Sequence, residues 1–198
     1  MGVLTPIPGF RLGAILDGFA ARLDSGAARA AFARIRATAP RRAEGALAER
    51  HRLVALSLAR RFGVAIHPAG RRCPFNWDGV ALNPASEAYV ILHEIAHFVL
   101  APPERRRLVD FGLGPGPDTV ARAAAERAAI LPFLEREAEE AEASLLGILW
   151  EAALGQPALA SFVDQNWLEG VERAAGAHFT AVLDRLRALG LGPFSPSE

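Results

Sequence analysis

Tyr89-Val90-Ile91-Leu92-His93-Glu94-Ile95-Ala96-His97-Phe98-Val99-Leu100 is the stretch on which the reading of this chain turns. Ser86 is a candidate N-cap, and Pro102-Pro103 is a stop, so the residues between them read as one helix. Residues four apart on a helix share a face, one turn apart. His93 and His97 can therefore grip one divalent metal ion from the same side, and Glu94, beside that face, is the candidate catalytic acid/base. Three polar groups on an otherwise apolar helix are costly unless paired or ligated, and here they fall on one patch.

Working outward, Phe10 to Ala39 reads as a helix with an interruption at Ser25-Gly26, ended by Pro40. Ala43 to Phe62 is a second helix, with Gly63 as its stop. Val64-Ala65-Ile66-His67 and Val80-Ala81-Leu82-Asn83 are short, apolar and bounded by Pro and Gly. They read as two strands around a turn-rich loop from Pro68 to Gly79. Leu108 to Pro117 is a loop. Asp118 or Thr119 caps a helix through Ala129, and Pro132 kinks or divides it. A further helix runs to about Leu154 and ends at Gly155 and Pro157. Glu169 to Leu189 is the last amphipathic helix. The expected fold is α+β and mainly helical: a compact zincin-like domain with a small sheet and a His-Glu-x-x-His active-site helix. It is a single domain over 1–198, with an N-terminal helical segment over 1–40 and the zincin-like core over 41–198.

Bulk composition narrows the function. The chain has 198 residues and is 51% apolar, enough to bury a core without disulfides. Basic and acidic residues balance at 22 each. A neutral chain is a poor nucleic-acid binder. Every basic residue is Arg, which excludes a Schiff-base or P-loop lysine. The single cysteine, Cys73, forms no internal disulfide and points to a reducing compartment or to indifference to redox state. No signal peptide and no membrane span are read, so the expected location is the cytoplasm.

A metal site needs a third ligand. Carboxylates follow at Glu135, Glu137, Glu139, Glu140 and Glu142, most of them expected on a solvated face. Glu140 lies one face-repeat from Ala143, Ser144 and Gly147, small residues that let helices pack closely, so it is the first choice. Glu137, one turn earlier, is the second. The spelling Glu140-x-x-Ala143-Ser144 also resembles the second ligand helix of gluzincin peptidases. Two His and one carboxylate suit a hydrolase with Zn²⁺ and Glu94 as general base. The same set with Fe²⁺ is the facial triad of non-heme oxygenases.

A longer set of motifs favours the second chemistry. His93-Glu94-Ile95-Ala96-His97-Phe98, then Glu104-Arg105-Arg106-Arg107-Leu108-Val109-Asp110-Phe111-Gly112, then Pro117-Asp118, resembles the bacterial elongation factor P hydroxylase family. Glu137-x-x-Glu140 and Asn166-Trp167-Leu168-Glu169-Gly170 continue the likeness, which covers about residues 90 to 170. The resemblance implies hydroxylation of a modified lysine on elongation factor P or another protein substrate, with O₂ as oxidant. It implies His93, His97 and Glu140 (or Glu137) as ligands to iron, with Glu94 a ligand or a nearby acid/base. Asp110 then either accepts a hydrogen bond from a ligand histidine, caps a helix or pairs with Arg107. Arg106 and its neighbours either meet an acidic partner or form a solvated helix end. The alternative functions are a zinc metallopeptidase of compact gluzincin type and a non-catalytic protein with a structural metal or none.

Overall fold

Side chains that bond to the nearest backbone decide where this chain's elements begin. The computed structural model describes residues 7–116, 119–168 and 175–191. Ser25 accepts a hydrogen bond from Ala28 N at 3.0 Å, and that cap splits the long helix expected at the N-terminus into α1 (Gly9–Ala21) and α2 (Gly26–Arg36). After Pro40 come α3 (Gly45–Arg61) and α4 (Ala88–Leu100), the helix carrying His93 and His97. Then follow α5 (Arg122–Ala128), α6 (Phe133–Ala153), α7 (Ala158–Asp164) and α8 (Ala175–Ala188). Short 3₁₀ turns at Arg105–Arg107 and Val109–Gly112 link α4 to α5.

The expected α+β fold is overturned: no strand occurs among the described residues. The two segments read as strands make only isolated bridges, Ile66 to Leu82 and Trp77 to Leu82. Gly63 and Pro68 bound the first, and Gly79 and Pro84 the second, leaving too few residues for a ladder. Asp78 also competes for the backbone, because its Oδ1 accepts from Val80 N at 3.0 Å and Ala81 N at 2.9 Å. The zincin-like sheet is therefore absent among the described residues, whose named elements are all helical. α4 packs against both α3 and α6, burying Ile91, Leu92, Ile95 and Ala96.

α4 and α6 come into tight backbone contact at Gly147. A Cβ added there would lie 3.3 Å from His93 N and 3.4 Å from His93 Cα. Glycine is the residue that allows this backbone-to-backbone contact. At the other end, Phe19 of α1, Phe32 of α2, Phe162 of α7 and Phe179 of α8 form one aromatic cluster. All six ring pairs have centroids 4.7–6.4 Å apart. That range is the one favoured by aromatic pairs, and it ties the N-terminal helices into the same core as the C-terminal ones.

Several expected caps differ. Ser86 donates to Asn76 Oδ1 at 3.1 Å instead of capping α4. Thr119 turns to Asp110, and α5 starts three residues later, at Arg122. Pro132, by contrast, divides the helical run as read, standing at the N-cap of α6. α7 went unread in the sequence. Asp118 and residues 169–174 lie outside the described residues, so the last helix is described only from Ala175. Among the described residues no helix is long and apolar enough to cross a membrane.

Candidate metal site

α4 and α6 bring three donor atoms together. His93 Nε2 and His97 Nε2 are 3.0 Å apart, and Glu140 Oε2 stands 3.4 Å from the first and 3.5 Å from the second. With metal–ligand bonds of about 2.0–2.1 Å, neighbouring ligand atoms lie about 3.3 Å apart around a tetrahedral ion and about 2.9 Å around an octahedral one. The triangle has edges of that size, and His93, His97 and Glu140 form the one group of such donors able to hold a metal ion among the described residues. Glu137 lines the adjoining cavity but is not part of that group.

The donors interact strongly. Burial works to lower the His97 pKa, but Glu140, Glu139 and Glu94 outweigh it and raise the imidazole to about 10. His93 is lowered, by burial and by the charge of His97, against the pull of Glu140. Burial pushes the Glu140 carboxyl up, yet the two histidines hold it well below the usual carboxylate range. The site thus pairs a proton with two carboxylates, and a metal ion bound there takes the place of that proton.

A ring of contacts fixes His97. Its Nδ1 faces Glu139 Oε1 at 3.5 Å. Glu139 Oε2 accepts from Arg105 Nη2. Arg105 is buried and donates through Nη1 to the Phe111 carbonyl at 3.2 Å. The Phe111 ring stacks on the His97 ring, centroids 5.6 Å apart, and Trp77 stacks on Phe111 at 5.3 Å. A carboxylate behind a ligand imidazole orients the ring and raises its basicity. Glu139→Gln should therefore keep the fold and its bond to Arg105 but weaken metal binding by roughly 10- to 100-fold. A competition titration with a chelator reads this directly, and an unchanged affinity would remove Glu139 from the role.

Asp110 and Phe111 occupy left-handed backbone, at φ 43° and 54°. Such residues cost about 1–3 kcal/mol each unless held by their surroundings. Here Asp110 N donates to Trp77 O at 3.0 Å, Leu113 N donates to Asp110 O at 2.9 Å, and Thr119 Oγ1 donates to Asp110 Oδ2 at 2.8 Å. The turn delivers Phe111 onto His97 and the Asp110 carboxylate into the cavity, with Oδ1 buried and unpartnered among the described residues. Asp110 therefore bonds Thr119 rather than a ligand histidine or Arg107. Burial raises its pKa, against Thr119, the backbone of Trp77 and His97.

The cavity beside the donors has a volume of about 590 Å³. Glu94, Asp110, Glu137 and Glu140 give it an acidic lining, and Asn76, Gln165 and Asn166 add neutral polar groups. No arginine lines it among the described residues. Glu94 is buried, and its pKa is pushed up to about 8 by burial, with Asp110 and Glu140 adding and His97 and the Asn76 side chain opposing. Arg106 lies outside this lining. It donates from Nε to Ala101 O at 2.9 Å, and its guanidinium covers the Phe98 ring at 4.5 Å. His178, for which the sequence suggested no partner, lines the cavity and stacks on Trp167. His67 pairs with Asp78 at 2.7 Å, outside the cavity lining. The roles of Arg105, Glu139 and Thr119 were missed in the sequence. Glu139 is spelled like any other member of the acidic run, and Arg105 like its two arginine neighbours.

No family model, curated protein or solved structure matches this chain.

Proposed function

We propose that this protein is a metal-dependent hydroxylase that oxidises a positively charged, lysine-derived side chain of a protein substrate, as the resemblance to elongation factor P hydroxylases implies. The observation that carries the reading is the triangle of His93, His97 and Glu140 opening onto an acidic cavity. Two imidazoles and one carboxylate are the donor set of non-heme iron oxygenases and leave other positions on the ion open. Iron bound there would supply activation of O₂. One oxygen atom enters a C–H bond and the other leaves as water, so each turnover draws two electrons and two protons from an added reductant.

The chain's own residues supply the rest. Asp110 and Glu137 line the cavity and attract a cationic side chain. Glu94, poised near neutral pH, holds or releases a proton beside the reacting group. Phe111 and the ring of contacts through Arg105 and Glu139 keep His97 in place. The zinc peptidase alternative drew on a zincin-like scaffold whose sheet is absent among the described residues.

The test is incubation of iron-loaded protein with lysylated elongation factor P, O₂ and a reductant. The expected result is a mass gain of one oxygen atom on the modified lysine, with O₂ consumed and none gained with the zinc-loaded protein. Unchanged substrate mass, or peptide cleavage by the zinc form, would overturn the hydroxylase reading.

A further inference from the structure

A second cavity, of about 470 Å³, lies between the start of α3, the start of α4 and the end of α6. Its volume is in the range of small-molecule sites. Two arginines line it, and both already have partners. Arg42 binds Asp164 at 2.9 Å and Ser161 at 3.2 Å, with its guanidinium 3.4 Å over the Tyr89 ring. Arg52 holds Glu49 through two nitrogens and also donates to the Pro84 carbonyl.

Besides the half-buried His51 and Tyr89, the lining offers buried acceptors. Gln156 is 1% exposed, and its Nε2 is spent on His51 O at 3.2 Å. Its Oε1 is buried with no partner among the described residues. Glu151, 2% exposed, is the other buried acceptor in the lining. Burial pushes its carboxyl up to about 7, with Ser161 and Arg42 opposing and Asp164 adding. Two further carboxylates, Glu44 and Glu87, stand exposed at the rim. Ala48, Ala88 and Pro157 add apolar side chains to the lining.

A buried acceptor with no donor is costly, and an ammonium brings three donors and a charge. Buried acceptors and exposed carboxylates in one lining that also holds apolar side chains match a molecule with an ammonium at each end of a short methylene chain. We propose that this cavity binds a short alkyl diamine, its inner ammonium on Gln156 Oε1 and Glu151 and its outer ammonium at Glu44 and Glu87. The site is independent of the metal site, although Tyr89 lines both cavities.

Titration calorimetry of the full chain with 1,4-diaminobutane tests this. Saturable binding of one molecule per chain is expected, with n-butylamine weaker by about tenfold and 1,4-butanediol silent. Gln156→Met and Glu151→Gln should each weaken binding by about tenfold or more, with circular dichroism confirming the fold. The exposed double change Glu44→Gln/Glu87→Gln, which leaves the core untouched, should bring diaminobutane down to the affinity of butylamine. Glu140→Ala should leave binding unchanged. Absence of saturable heat, equal affinity for diaminobutane and butanediol, indifference to all these substitutions, or loss in Glu140→Ala would each overturn the proposal. The last outcome would place the diamine in the acidic cavity of the metal site instead.

Discussion

His97→Ala is expected to lower the affinity of the protein for Fe²⁺ or Zn²⁺ by at least roughly a hundredfold and to abolish turnover. Complete metal sites in small domains are worth about 10–16 kcal/mol, so one ligand of three or four carries about 3–4 kcal/mol, or two to three orders of magnitude. His97 also carries the proton of the site, its pKa raised to about 10. Below that pH a metal ion must displace the proton. Wild-type affinity should therefore climb with pH, by up to about tenfold per unit between pH 6 and 8, and the slope should flatten in the variant. Metal content by mass spectrometry and chelator titrations at several pH values read both effects. Full metal occupancy in His97→Ala would place the ion elsewhere and leave the α4–α6 cluster as a partly buried ion-pair network.

Glu94→Gln separates binding from chemistry. Its carboxyl is absent from the donor triangle but lines the same cavity, so metal content should match wild type. Glutamine has nearly the same shape and keeps a polar group beside Asn76, but it cannot take or give a proton at neutral pH. A positioned acid/base contributes about 10²–10⁴-fold, so turnover should fall by that much while substrate affinity changes far less. A steady-state split of kcat from KM, with metal assayed in the same samples, reads the outcome. Loss of metal in Glu94→Gln would make Glu94 a ligand; unchanged kcat would leave it only the role of a buried carboxyl.

Much of the metal-site geometry was legible in the sequence because it depends on helical periodicity. His93 and His97 share a face by spacing alone. Glu140 could be picked from a run of five carboxylates because Ala143, Ser144 and Gly147 mark the face of α6 that comes close to another helix. The contacts behind the site were not legible. Arg105 meets Glu139 across 34 positions, and Phe111 reaches His97 only through a turn of two left-handed residues that no local preference predicts. The sheet was misread for a related reason. Val64–His67 and Val80–Asn83 have strand-like composition, but pairing requires length, and Asp78 bonds part of the backbone that a ladder would need. The break at Ser25 shows the reverse: a capping residue inside a periodic run outweighs the run.

Gly147 has a mechanical consequence. It acts as a fulcrum where two rods touch, seven residues along α6 from Glu140, or roughly 10 Å at 1.5 Å per residue. A tilt of about 5°, small beside the roughly 15–20° scatter of helix crossings, would swing Glu140 by roughly 0.9 Å. Metal coordination tolerates about 0.2 Å. The far arm of the same lever runs toward α7 and the phenylalanine cluster, so a loosened ring there would be felt first as a detuned grip on the ion, before any loss of helix.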